Sequence, residues 1–494
     1  MAEKTYLELS ESDGSHKFYE VEIDGSNLTI RYGRIGTDGT KQALSFADAA
    51  AAQKEAEKKL KEKRKKGYED AVMGVRKKRN ITRRFVEATP VSSGGSSSSS
   101  SGGSSRTRAF TPPQPKVKLP TVWQFGTEDM AFGIFIRDNS CWVGNQAGRV
   151  FKLSHTGEVL EQYKLPDGVK CIVADDAWIY AGCDDGNVYD LTGKLPRKAY
   201  EISDDVDIYW LDVQNGWLAV SDNNGNVVLF DYEGNENWRK KGRGDCAWMV
   251  RVNFNGQVFS GDSAGVACYD GNGREAWHTK TGPVLFGYQD KYVLYAGTSR
   301  ANLVCLSKTG DILQTFSTDA SMYSCAATED GRYVFGGDNQ GHVYCFNADG
   351  TRLWKLATGI GSVLSMQHFQ DKLYVVTTFG YLACVDVSEE AIQKAQAGDT
   401  PTSTNIKAPE AVAVAQTTLL EVATQNTQGI RVQCIKEGGK LRVKVLSDGY
   451  HKDWYVQFPR DIRVEGMQYV VEELKESAQG GFYRVLGNIF KIES

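Results

Sequence analysis

The sequence has no apolar run near the 18 residues that a membrane-crossing helix needs. It opens on Met1-Ala-Glu-Lys-Thr-Tyr6, without the apolar core of a secretory signal. Its ten cysteines include no Cys-x-x-Cys pair. Its six histidines, at 16, 155, 278, 342, 368 and 451, show no metal-ligand spacing. No phosphate-binding glycine loop, nucleophile elbow or His-Glu-x-x-His is present. A net charge of −4 over 494 residues excludes a chain-wide attraction to polyanions, so any such attraction must be regional. Together these absences predict a cytoplasmic protein with reduced thiols, no membrane contact, no cofactor and no metal. The length predicts two to four domains.

What the chain has instead is repetition. The hairpin Val334-Phe-Gly-Gly-Asp-Asn-Gln-Gly-His-Val-Tyr-Cys-Phe346 recurs seven times between residues 121 and 398. Its turn glycines fall at 148, 186, 225, 265, 341 and 380, with Ala301 in the fifth copy. A period of about 39 residues with four short strands per unit predicts propeller blades. Three units add Gly-x-x-x-Trp in the outer turn, at 234–238, 273–277 and 350–354. The final unit runs into residues 388–396, which read as a helix and supply no outer strand. Val122-Trp123-Gln-Phe-Gly126 matches Leu353-Trp354-Lys-Leu-Ala-Thr-Gly359, so the first strand is expected to complete the seventh blade and close the ring.

The outer-turn tryptophans resemble the repeats of pyrroloquinoline-quinone (PQQ-like) propellers, and the layout resembles WD-repeat propellers. A quinoprotein would imply a calcium site and a catalytic carboxylate. Asp222, Asp262 and Asp338 stand at equivalent hairpin positions and read as turn caps. Cys268, Cys305, Cys345 and Cys384 share one strand position and read as small buried side chains. Top-face segments offer Trp210, Trp248 and Arg251 as candidate protein-binding anchors, the alternative being that Trp210 and Trp248 pack between blades.

Residues 1–84 form a different kind of module. Tyr6–Leu9, 17–23 and 28–32 alternate as strands, Asp24-Gly25 is a turn signal, and a glycine-punctuated stretch at 33–39 leads to 41–44. Ser45 with Asp48 reads as a capping box, and Phe46, Ala49, Gln53, Ala56 and Leu60 as the helix's inner face. From residue 53 to 84 there are 14 Lys/Arg against 5 Asp/Glu. Tyr32-Gly33-Arg34, Ile35-Gly36 and Lys66-Gly67-Tyr68 resemble the WGR domain, with tyrosine standing where the motif has tryptophan. The resemblance implies that Tyr32 and Arg34 lie on a sheet able to contact nucleic acid or a partner domain. Tyr32, Arg34, Lys54, Lys58, Lys61, Lys65, Arg76, Lys77, Lys78 and Arg79 are therefore the candidate nucleic-acid-binding residues. They would act through backbone electrostatics, on DNA or RNA, without base-specific reading.

Residues 85–120, rich in serine and glycine with Thr111-Pro-Pro-Gln-Pro115 at the exit, are expected to be a flexible linker. Residues 399–416 are expected to be a second linker, and 417–494 a small, strongly twisted β sheet or barrel. Arg431, Arg442, Lys444, Arg460, Arg463 and Arg484 lie on its outward positions with Tyr455 and Tyr469 interleaved. They are expected to be a solvated face or, alternatively, a second polyanion surface. The fold expected is mainly β: a seven-bladed β-propeller at 121–398 with an N-terminal α+β WGR-like domain and a small C-terminal β domain. A WGR domain joined to a propeller resembles bacterial accessory architecture. The function expected is a non-enzymatic adaptor. A purely protein-binding scaffold and a quinoprotein-like or hydrolytic propeller enzyme are the alternatives, and oligomeric state is left open.

Overall fold

The computed structural model describes residues 3–10, 16–34, 40–46, 48–65, 68–71, 119–399 (apart from 138, 177, 194–195 and 204–205), 404–406, 415–416 and 429–492 (apart from 461 and 478–479). The chain divides into two compact units, Met1–Gln114 and Pro115–Ser494.

The first unit is an antiparallel sheet in the order β4-β3-β2-β1-β5 with one helix. Its elements are β1 (Glu3–Ser10), β2 (His16–Asp24), β3 (Asn27–Arg34), β4 (Thr40–Ser45), α1 (Ala49–Lys65) and β5 (Glu69–Asp70). Gly25 takes φ 58° between the paired Asp24 and Asn27, the positive-φ position of a two-residue hairpin. The helix starts three residues later than the capping box predicts. Ser45 remains in β4, its hydroxyl bonded to Asn27 Oδ1 at 2.8 Å. Asp48 is the cap, accepting from the Ala51 amide at 2.8 Å. The inner face shifts with it to Ala52, Ala56 and Leu60, while Ala49 is exposed. Ala56 and Leu60 share a core with Leu7, Tyr19, Val21, Leu28 and Ile30.

The second unit contains a closed ring of seven blades. Six are continuous four-stranded meanders, beginning with inner strands Ala131–Arg137, Val169–Asp175, Ile208–Gln214, Met249–Val252, Val284–Gln289 and Met322–Ala327. The seventh consists of Val363–Phe369, Lys372–Thr377 and Tyr381–Asp386, completed by Thr121–Gly126 with Cys384 opposite Trp123. Tryptophans fasten neighbouring blades. Trp238 lies against Gly273 of the next blade, and Trp277 against Gly310, where an added Cβ would come within 2.8 and 2.7 Å of the indole. The Trp277 indole N–H also donates to Lys308 O at 3.1 Å, and Trp123 makes the same bond across the closure to His155 O at 2.8 Å. Trp354 instead shares a hydrophobic cluster with Ile392 and Ala395 of α2 (Glu389–Gln396), which is capped by Ser388.

Two stretches within the expected second linker are strands. Thr404–Ile406 pairs in parallel with Trp123–Phe125 on the seventh blade, and Ala415–Gln416 with Tyr163–Lys164 on the first. The two pairings lie on the blades either side of the seam, one on the closing strand and one on blade one.

Residues 430–491 form a closed five-stranded barrel around Val432, Cys434, Val443, Val456, Tyr469 and Tyr483. The barrel docks on blades two and three. Trp178 donates its indole N–H to Val485 O at 2.7 Å, and Tyr232 stacks on Phe482 with centroids 3.9 Å apart. Four of the cations expected to be solvated or to bind polyanions face the propeller instead. Arg484 bonds Asp175 at 2.6 Å and the Tyr180 hydroxyl at 2.8 Å. Arg442 pairs with the Glu233 carboxylate, while Arg463 and Arg460 donate to the carbonyls of Glu233 and Gly234.

Candidate nucleic-acid interface

Strand alternation carries Tyr32 to the same side of the sheet as Leu28 and Ile30. There it is 41% exposed, whereas Leu28 and Ile30 are buried. Register sets Tyr19 opposite Tyr32, and the rings stack with centroids 6.2 Å apart. Tyr68, just past the helix, meets Tyr19 edge-on at 6.4 Å. The Lys63 ammonium stands 4.5 Å from the Tyr19 centroid and 5.3 Å from that of Tyr68. This is a shelf of three tyrosines with a cation over it, each cation–π contact being worth roughly 0.5–1 kcal/mol at an exposed site.

Arg34 ends β3, its Cα opposite Lys17. Lys54, Lys58 and Lys61 are exposed along α1, and Lys65 is its last residue. The carbonyl end of the helix favours cations there. Some of this charge is answered locally: Lys58 and Lys59 each lie 3.7 Å from Glu55, and Arg64 lies 2.7 Å from Asp70. Arg76, Lys77, Lys78 and Arg79, and the expected linker from 85 to 118, lie outside the described residues.

The opposite side of the sheet holds a structural pair. Arg31 and Lys4 both reach the buried Glu20 carboxylate at 3.0 Å, and Arg31 lies 5.0 Å above the Phe18 ring. Burial pushes Glu20 up, but hydrogen bonds from Arg31 and Lys4 outweigh it and hold the carboxyl below its usual range. Sequence reading missed Tyr19 and Lys63. The available signal was β-hairpin register: with the turn at Gly25 fixed, Tyr19 must face Tyr32.

In the propeller, Trp210 and Arg251 are not surface anchors. Trp210 is 8% exposed and packs edge-on against Phe286 at 5.0 Å. Arg251, 9% exposed, lies 5.4 Å from the Trp210 ring and donates to the carbonyls of Val250 and Gly287. Burial draws its guanidinium below the ordinary value, with Asp212 opposing. Trp248 is partly exposed and stacks on Tyr209 at 3.8 Å. Beside them Lys170 and Asp184 form a fully buried ion pair at 2.6 Å. The turn carboxylates are taken up by backbone amides: Asp222 by Asn224 and Asn226, Asp262 by Ala264 and Gly244, Asp338 by Gln340 and His342. They act as turn caps. The four strand-position cysteines are all buried.

Among the described residues, no helix is long and apolar enough to cross a membrane. Residues 3–75 match the WGR domain family. Residues 223–455 match the family described as outer membrane protein assembly factor BamB, a PQQ-like repeat propeller. Protein YehF of Escherichia coli (strain K12) is 50% identical over 60 residues, which make up 12% of this chain and 22% of that protein. The chain thus spans about a fifth of the length of the curated relative it matches. Among solved structures, the WD40 β-propeller domain of Doa1 aligns at a TM-score of 0.49 and 12% identity, covering 56% of this chain and 99% of that one.

Proposed function

We propose that this chain, a WGR domain followed by a PQQ-like propeller, is a non-enzymatic adaptor. The WGR domain binds nucleic acid through backbone phosphates, and the propeller docks proteins. The observation that carries this reading is the WGR match at 3–75 combined with the exposed Tyr32 and the tyrosine–lysine shelf around it. An aromatic ring with a neighbouring ammonium suits an end base and its phosphate. The exposed lysines of α1 suit further phosphates, which fix position without reading sequence. The cytoplasm is part of the proposal: nine of the ten cysteines are buried as thiols, which suits a reducing compartment.

The test is titration of the full chain against labelled duplexes of DNA and of RNA between 50 and 200 mM salt. Neutralising about five phosphates gives a log–log salt slope of roughly −4 to −5. Arg34→Ala should weaken binding about tenfold without changing sequence preference. Absence of binding at low salt would overturn the nucleic-acid part and leave a purely protein-binding scaffold. The local pairing of Lys58, Lys59 and Arg64 with acids favours that second reading. A bound quinone or stoichiometric calcium in the purified protein would overturn the non-enzymatic part.

A further inference from the structure

We propose that the outer strand of the fifth blade, Ile312–Ser317, is a docking edge that takes up an extended segment of a protein partner as a fifth, parallel strand. The proposal rests on the reading of the propeller as a protein-docking ring and gives that ring a binding mode.

The chain itself shows what such an edge accepts. Blades seven and one each carry an added parallel strand, Thr404–Ile406 and Ala415–Gln416. On both, the outer strand has a bulge, and the bulged residue is an exposed aliphatic: Val122 at 43% and Leu160 at 48%. The added strand pairs just beyond that bulge, at Trp123–Phe125 and at Tyr163–Lys164.

The fifth blade repeats these features. Its outer strand shifts register between the partners of Cys305 and Leu306, which leaves Leu313 at the bulge. Leu313 is 57% exposed and Ile312 beside it 51%. The strand reads Ile-Leu-Gln-Thr-Phe-Ser, without a charge, as the strapped strand Thr-Val-Trp-Gln-Phe-Gly of blade seven does. The outer strands of blades three, four and six carry charges, reading Glu-Asn-Trp-Arg-Lys-Lys, Glu-Ala-Trp-His-Thr and Arg-Leu-Trp-Lys-Leu-Ala. Edge charges are a common protection against strand addition: the strapped strand of blade one, Val-Leu-Glu-Gln-Tyr-Lys, carries two and pairs over two residues, whereas the uncharged strand of blade seven pairs over three, and the fifth blade is of the uncharged kind. Among the described residues, Ile312–Ser317 has a strand partner only in Asn302–Ser307, its neighbour within the blade; the Thr315 amide donates to Gln314 Oε1 at 2.8 Å, a bond that the added segment has to replace.

The occupant follows from the filled edges. Both take a few uncharged residues, Thr-Asn-Ile on blade seven and Ala-Gln on blade one. The partner segment is therefore short, uncharged and extended, with no proline among the pairing positions. Main-chain hydrogen bonds supply its affinity, and Ile312 with Leu313 supplies selection for apolar side chains.

The probe is a labelled synthetic peptide with the sequence of residues 411–416, Ala-Val-Ala-Val-Ala-Gln, uncharged and free of proline, added to the full chain, whose own Ala415–Gln416 already occupies blade one. Saturable binding by fluorescence anisotropy is expected, with slowed amide exchange at 314–317. Leu313→Lys should weaken it at least about tenfold, and Ala276→Lys on the fourth blade should leave it unchanged. Three results would overturn the proposal. One is no saturable binding up to about 1 mM. Another is exchange protection confined to 121–126 and 159–164, meaning that the peptide only replaces the strap. The third is a peptide-independent dimer abolished by Leu313→Lys, meaning that a second copy covers the edge. Failure here leaves the duplex titration unaffected, so it is distinguishable from failure of the adaptor reading.

Discussion

Arg484 shows what alternation along a strand encodes and what it omits. Its outward direction was legible, because side chains alternate with period two. Its partner was not, because the pattern says nothing about what lies across the gap. Here that partner is Asp175, with the guanidinium also 3.9 Å from the Trp178 centroid. Removing one member of a buried pair strands the other. Arg484→Ala should therefore destabilise the chain by about 3–5 kcal/mol in chemical denaturation, and the barrel should separate from the ring before the ring unfolds. Lys308 makes a second case. Its ammonium is part-buried, donates to Gln289 at 2.8 Å and lies 4.9 Å from the Phe259 ring. Burial draws its pKa from 10.5 down to about 8. A lowered folded-state value means that the stability this group contributes is present above the unfolded value and lost as pH falls through the folded one. Lys308→Met should accordingly be most favourable relative to the parent near pH 7, and its advantage should shrink by pH 10, as read from paired denaturation curves.

At the scale of elements, the Trp–Gly fasteners were partly legible. The Gly-x-x-x-Trp spacing marks the outer turns, and Trp238 and Trp277 pack on the next blade's turn glycine. Gly310 and Gly331 provide a clean comparison. Both have positive φ, 94° and 68°, but a Cβ at Gly310 would sit 2.7 Å from Trp277 and one at Gly331 would meet nothing within 4 Å. Gly331→Ala should cost about 1 kcal/mol for its backbone conformation, and Gly310→Ala roughly 1–3 kcal/mol more for displacing the indole. Thermal melting of the two variants side by side checks this. The start of α1 was misread for a definite reason. Ser45 and Asp48 are both good caps, so the local signal does not choose between them. Pairing of Ser45 with Asn27 across the sheet decides the matter, and that contact is not local.

At the scale of the molecule, the seven-blade count and the closure by the first strand were legible because Trp123 repeats the setting of Trp354. The strap was not legible. Pairings of three and two residues carry no periodicity, and a serine- and threonine-containing stretch after a helix reads as a linker. Deleting residues 119–126 should leave blade seven one strand short and expose an edge on Tyr381–Asp386. The expected outcome is a broadened, no longer cooperative unfolding transition with aggregation, measured by calorimetry and light scattering.

The closure also sets a clock on biosynthesis. Phe125 pairs with Leu382, so the first strand of the ring leaves the ribosome long before its neighbour exists. At about 5–20 residues per second the delay is roughly 10–50 s. Throughout it, an uncharged strand bearing Val122, Trp123 and Phe125 must stay unpaired and out of wrong sheets. Nascent-chain survival, rather than the stability of the finished ring, is then where this architecture is most exposed to a chaperone shortage.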